Sequence, residues 1–397
     1  MRKKRVIRHI ISLTLIALVG FSVITLKACK PIASFMENPK PIGVQDALLS
    51  YPIPQPTAKT ITLIADNKGT EIFDLLAPFH MLKAATNANV FIVAHSAGQI
   101  PLHRGVSILP HHTFQSFNEL NIQPDAIVIP NLSTIVPEDI NTDILDFIKS
   151  NYTEDAYVLS VCDGAATTAQ TGLFEDRQMI AHASDIPYLK DVFPAVNWIK
   201  DQRYVVSGNL ITTAGVSNAT EGTLVLIEKL YGKAMALEAM QQINYPSNTI
   251  LYSHKSKPIT FSDKLTIFSK VALKKNKTIG LLLEDGVSEF KLACVLDTYS
   301  RTFPKSISTS AYNWTPIKSE YGLTLYPTAS TKKLDVLLCF SCDTTQKLPF
   351  DYDELKNIEI EEKKYVFDEM LNKYISNEYN DSFTSVVAKL LDYNFNP

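Results

Sequence analysis

The stretch AYVLSVCDGA, residues 156–165, decides the fold. Residues 156–161 form an apolar run rich in β-branched side chains and read as a strand, while residues 164–173 carry helical spacing. Cys162 falls in the turn between them. A tight strand-to-helix turn of this kind lifts one side chain above the carboxyl edge of a sheet. Gly164 permits close packing there, and the helix N-terminus favours a thiolate. On pattern alone, Cys162 is either an activated nucleophile or a structural cysteine at a strand end.

Upstream, TITLIA (60–65), NVFIVA (89–94) and DAIVIP (125–130) read as further strands, with helices expected over 71–85 and 139–150. Strands alternating with helices predict an α/β fold, a Rossmann-like (flavodoxin-like) parallel sheet sandwiched by helices. Residues 31–59 are proline-rich and read as a linker, and residues 246–277, rich in Ser, Lys and Pro at their start, as a second one. The main domain therefore spans 60–245.

Beyond the second linker the opening repeats. Gly286-Val287-Ser288-Glu289-Phe290-Lys291 parallels Gly69-Thr70-Glu71-Ile72-Phe73-Asp74, residues 321–327 echo 105–110, and 334–340 echo 125–130. Residues 278–397 are expected to be a smaller, degenerate α/β domain of related topology. The copy is expected to stop before a fourth strand and to end in helices over 361–378 and 382–393.

Hydrophobic residues make up 46% of the 397 and charged residues 20%, enough for packed cores and too apolar for wholesale disorder. The formal net charge of −3 averages two unlike parts. Residues 1–30 hold seven Lys or Arg and no acid, whereas residues 31–397 hold 31 basic and 41 acidic side chains. An acidic body argues against nucleic acid as a partner. Five cysteines exclude a disulfide-stapled scaffold.

Residues 10–26 are seventeen consecutive uncharged residues behind the cluster RKKR. Their length lies between a signal-peptide core and a spanning helix, so they are a membrane anchor or a signal segment. The positive-inside rule places everything after Cys29 on the outer side, so the body is expected to be membrane-anchored and extracytoplasmic, on the periplasmic or outer face of a bacterial cell. Leu26-Lys27-Ala28-Cys29 resembles a lipobox, with Lys27 out of pattern, so lipidation at Cys29 ranks below an uncleaved anchor.

Several ordered motifs over residues 59–233 carry a resemblance. They are Gly69-x-Glu71-x-Phe73-Asp74, Asp125-Ala126-x-Val128-Ile129-Pro130, Ser160-Val161-Cys162-x-Gly164-Ala165, Thr171-Gly172-Leu173, Ala181-His182, and the run from Gly208 to Val216. The chain resembles the ThiJ/PfpI superfamily, whose fold is that of class I glutamine amidotransferases, and looks closest to isonitrile hydratases and the ligand domains of AraC-like regulators. The resemblance implies that Cys162 is the nucleophile or oxidation sensor and that Asp74 is the acid beside its sulfur. His182 matches a histidine that some relatives hold near the thiol, and is either a proton acceptor or structural. Backbone donors for an oxyanion would come from Asp163, Gly164, Asn131 and Leu132, although Pro130-Asn131-Leu132 replaces the usual Pro-Gly-Gly. Asp163 itself replaces both the His of peptidase-like members and the Thr of isonitrile hydratases. That departure weighs against both activities, and Asp163 is expected either to raise the thiol pKa or to orient a water.

The second copy has Lys291 in place of the acid and no elbow cysteine, so it is expected to be catalytically dead. Cys339 and Cys342 are read as strand-end cysteines rather than a redox pair, and Cys294 as core. His111-His112 lacks a third ligand, so no metal and no cofactor is expected. Two functions remain open: cofactor-free attack of Cys162 on a small electrophile (glyoxalase-, deglycase- or hydratase-like, with methylglyoxal as one substrate), or a small-molecule-binding or cysteine-oxidation-sensing module. A homodimer is the expected partner arrangement if the second copy leaves that face free.

Overall fold

The computed structural model describes residues 31–32, 35, 51–103, 105–312, 315–328, 333–340, 348 and 350–395. The expected anchor at residues 10–26, Cys29 and Cys342 lie outside the described residues. In chain order, the strands of the first half are β1 (Thr60–Ala65), β2 (Asn89–Ala94), a hairpin β3 (Ile100–Leu102) and β4 (Val106–Ile108), β5 (His112–Thr113), β6 (Ala126–Ile129) and β7 (Tyr157–Ser160). A short pair comes next, β8 (Gln178–Met179) with β9 (Asn197–Trp198), then β10 (Tyr204–Ser207) and β11 (Leu210–Thr213).

The main sheet runs β10-β11-β7-β6-β1-β2-β5, parallel throughout except for the edge pairing of β10 with β11. Every residue of β1, β2 and β6 is buried, which is why these runs are apolar without alternation: both faces are covered. The expected α/β architecture is thus the observed one.

The second half supplies β12 (Thr278–Leu282), β13 (Ser306–Ser310), a hairpin β14 (Ile317–Lys318) and β15 (Thr324–Pro327), β16 (Lys333–Cys339) and β17 (Asp351–Asn357). Its parallel sheet has the order β13-β12-β16-β17, which repeats the order β2-β1-β6-β7. The expectation that the copy stops after three strands is corrected here. β17 is the fourth, and its residue pattern conceals it, because DYDELKN is a polar, mostly exposed strand at the edge of the sheet, paired among the described residues only with β16. The N–H of Ile358 donates to the Cys339 carbonyl just as that of Val161 donates to Ile129, so Glu359 stands where Cys162 stands in the first half. With Lys291 at the position of the acid, the second edge carries a lysine and a glutamate where the first carries the acid and the cysteine. Cys339 closes β16 and takes part in a disulfide, so it is not a free strand-end thiol. Cys294 is free and buried.

The two halves meet about a pseudo-two-fold. The hairpins join edge to edge into one antiparallel sheet, β14-β15-β4-β3, with Ile108 opposite its repeat equivalent Leu325. Helix α1 (Ile72–Ala85) lies against α2 (Glu289–Ser300), and the equivalent rings of Phe73 and Phe290 have centroids 5.2 Å apart. Both helices are apolar on nearly every side because each is buried on nearly every side. The face on which a second molecule would sit about this axis is filled by the chain's own second half.

Phe73 also packs its ring 4.8 Å from Phe367 of the second half. Phe73→Ala is expected to cost about 3–5 kcal/mol and to lower the melting temperature in a thermal scan; an unchanged transition would mean that the halves do not depend on this contact.

Candidate active site

At the carboxyl edge of β7 the chain turns sharply into the short helix Gly164–Gln170. Cys162 holds a left-handed backbone with φ 53°, a conformation uncommon outside glycine. Its N–H donates to Thr213 Oγ1 at 3.1 Å. A Cβ on Gly164 would lie 2.2 Å from the Ile129 carbonyl oxygen and 2.8 Å from that of Pro130, so only glycine fits and the turn is pinned against the end of β6. The expected sharp strand-to-helix turn at Cys162 is present.

Asp74 lies on α1 and is fully buried. Its N–H donates to the N-capping carboxylate of Glu71 at 2.8 Å, and its Oδ2 accepts from the Asn131 N–H at 3.1 Å. Its Oδ1 has no partner among the described residues. Burial, then the charges of Glu71 and Asp163, push the Asp74 carboxyl well above the usual range, against the Asn131 N–H and the distant Arg301. These surroundings favour the protonated form of Asp74.

Cys162 is only 3% exposed. Burial raises its thiol well above its usual value, and the carboxyl groups of Asp163, Asp74, Asp185 and Glu71 add to the rise. The expectation of a resting thiolate is thereby corrected: the field of the short helix is outweighed by desolvation and by four carboxyl groups. Of the alternatives left open for Asp163, raising the thiol pKa is the one the electrostatics show.

His182 is buried and faces carboxylates. Its Nδ1 lies 3.4 Å from Asp185 Oδ2. Burial lowers its pKa, but the bond to Asp185 and the charges of Asp163 and Asp392 leave it above the usual value. Asp163 in turn is raised to about 7, by burial and by Asp185, against the charge and backbone N–H of His182. His182 thus serves the carboxyl cluster behind the elbow. Among the expected oxyanion donors, the Asn131 N–H is committed to Asp74 and the Gly164 N–H to the Val161 carbonyl. Those two expectations are corrected; Leu132 and Asp163 remain as backbone candidates. His111 and His112 bond backbone groups, Nδ1 of His111 accepting from the Ile92 N–H and Nε2 of His112 meeting the Pro52 carbonyl. A potential metal group elsewhere, His80, Glu289 and Glu320, has ligand atoms within 4.8 Å of one another, but Glu289 already engages His80, Ser319 and the Tyr321 N–H.

The second half reaches this site as well. Ser217, just after β11, donates through its N–H to the Leu391 carbonyl and through its hydroxyl to that of Asp392. Asp392 also bonds His254 at 2.7 Å, and a Cβ on Gly215 would strike the Asp392 Cβ at 2.2 Å. The C-terminal tail is thus packed into the edge beside the elbow. Sequence reasoning missed Asp185, Asp392, His254 and Arg301. Asp185 has the one local signal, three residues beyond His182; Asp392 and Arg301 are brought in from the second half, and His254 from the linker before it, by packing.

Residues 59–229 match the DJ-1/PfpI family. This part of the chain is a DJ-1/PfpI domain. An isonitrile hydratase from Pseudomonas putida is 28% identical over 174 residues, which is 43% of this chain and 72% of that protein. Among solved structures, DJ-1beta of Drosophila melanogaster is 21% identical, covering 47% of this chain and 97% of its own, with a TM-score of 0.42. A ThiJ/PfpI family protein from Pseudomonas syringae is 22% identical, covering 54% and 86%, with a TM-score of 0.45.

The electrostatics of this DJ-1/PfpI domain predict how its cysteine reacts. Alkylation of Cys162 is expected to be slow at neutral pH and to rise only in the alkaline range. Asp163 is negative above about pH 7, and a negative neighbour raises a thiol pKa, so Asp163→Asn is expected to move the labelling profile to lower pH. A wild-type profile with half-maximal labelling below about pH 8.5, the ordinary thiol value, would contradict the assignment, as would one unmoved by Asp163→Asn.

Proposed function

We propose that the DJ-1/PfpI domain adds water to a small, unsaturated carbon electrophile through a covalent adduct on Cys162, with isonitriles as the leading substrate class. The observation that carries this is a buried Asp74 with one oxygen unpartnered among the described residues, its carboxyl pushed toward the protonated form, and its charge felt by the buried Cys162 thiol at the elbow, whose pKa is raised as well. An isonitrile carbon must gain a proton as well as a nucleophile, and both partners here hold protons. Asp74 gives its proton to the carbon; the Cys162 sulfur bonds the same carbon and its proton passes to the Asp74 carboxylate. The resulting thioimidate takes up water, its C–S bond breaks, and an N-substituted formamide leaves as the sulfur regains its proton. Net charge stays constant throughout, as a dry site requires.

The relative's activity supports this choice, while Asp163 in place of the hydratases' Thr points to a substrate range of its own. Glyoxalase-like attack on methylglyoxal calls for a more ionised thiol, and oxidation sensing for a more exposed one; the surroundings of Cys162 favour neither. We further propose that residues 10–26 tether the body to a membrane with the domain on the outer side. No helix among the described residues is long and apolar enough to cross a membrane, so that role falls to the sequence of residues 10–26 itself.

Small alkyl isonitriles incubated with the full chain are expected to yield the N-alkylformamide. Cys162→Ser should abolish turnover, and Asp74→Asn should lower kcat by about 10²–10⁴-fold. Undiminished turnover in Cys162→Ser, or consumption of methylglyoxal with none of isonitrile, would overturn the proposal.

A further inference from the structure

Four large apolar side chains stand exposed on one helix, residues Phe261–Leu273: Phe261 at 75%, Leu265 at 52%, Phe268 at 38% and Leu273 at 67%. Phe261, Leu265 and Phe268 have i, i+4, i+7 spacing and form one outward ridge, while Asp263, Lys270, Val271 and Ala272 are buried. A contiguous apolar ridge left in water costs free energy unless something covers it.

Charge says what covers it. Residues 255–277 contain seven lysines and one acid, Asp263, in a body that is otherwise acidic. Asp263 is held by Lys389 at 2.8 Å. Lys275 and Lys277 pair with Asp335 and Glu354, but Lys255, Lys257, Lys264 and Lys274 are exposed along the same segment. A second copy brought face to face across this ridge would set lysines against lysines. An anionic lipid surface meets both features, apolar side chains entering the acyl boundary and lysines meeting headgroups.

The path of the chain agrees. Phe35 packs its ring 4.9 Å from that of Phe303, and the Phe303 carbonyl accepts from Lys270 Nζ of the same helix at 2.7 Å. Leu26, the end of the uncharged stretch, is nine residues before Phe35, a reach of at most about 30 Å. A bilayer that held residues 10–26 would thus lie within that reach of Phe35.

We infer that the helix Phe261–Leu273 lies on the surface of an anionic bilayer through Phe261, Leu265 and Phe268, orienting the body above the membrane. The inference shares residues 10–26 with the tethering proposal but stands on the exposed ridge and its lysines.

The full-length chain carrying Phe268→Trp, reconstituted in phosphatidylcholine–phosphatidylglycerol vesicles with brominated acyl chains, tests it. Emission from the new indole is expected to be lost relative to unbrominated vesicles, beyond any loss in the parent protein, and the loss should shrink when phosphatidylglycerol is omitted. Leu265→Trp, checked like the first variant by its thermal transition, gives the same readout if Phe268→Trp disturbs the fold. Equal emission in both vesicle types overturns the inference; a blue-shifted but unquenched indole would assign the ridge to a protein surface instead. Carbonate extraction separates the tether. A chain retained in the pellet without quenching keeps the tether and refutes the docking, whereas a chain released by carbonate yet quenched by added vesicles refutes the tether and keeps the docking.

Discussion

A carboxyl group sealed from water, with one oxygen unpartnered and no cation bonded to it among the described residues, is pushed toward its protonated form, and Asp74 is such a group. Everything chemical at the elbow depends on that. A charged Asp74 would stand against the neighbouring carboxyl groups of Glu71 and Asp163, and would drive the Cys162 thiol still further from ionisation. With Asp74 neutral, sulfur and carboxyl can exchange a proton through a substrate without separating charge in a low-dielectric site. The backbone serves this arrangement: the glycine at the start of the elbow helix has no room for a Cβ, and the Asn131 N–H that might have held an oxyanion instead fixes one oxygen of Asp74.

The second half explains how the site is enclosed. About the pseudo-two-fold, α1 and α2 bury each other, so the helix bearing Asp74 sits inside the molecule rather than on its rim. The tail beyond the last helix then closes on the residues after β11 through Ser217 and Gly215. The half that has lost acid and nucleophile has thus kept the packing role of a symmetric partner, and its Lys291 and Glu359 leave its own edge without the thiol and acid that the first half retains.

Much of this was legible in residue order because it is local. A largely buried strand followed by Cys162 and Gly164 carries its own geometry, whereas the capping of Asp74 by Glu71 emerges only from the fold. Repeat spacing revealed the second half, down to the Phe73–Phe290 equivalence that proves to be a ring contact. What stayed hidden was non-local. β17 is a polar edge strand whose pairing is set by its neighbour, so its own residues do not announce it. The protonation of Cys162 is decided by desolvation and by Asp185 and Glu71 as well as Asp163 and Asp74, a sum that no motif encodes. His182 was found by its motif, yet its partners and the intrusion of Asp392 emerge only from packing.

The central claim is that Asp74 holds a proton at neutral pH. Infrared difference spectroscopy of the wild-type chain against Asp74→Asn measures this directly. A carbonyl stretch of a protonated carboxyl, present at neutral pH and absent in the variant, is the predicted result; a difference spectrum showing only carboxylate bands under the same conditions would contradict the account.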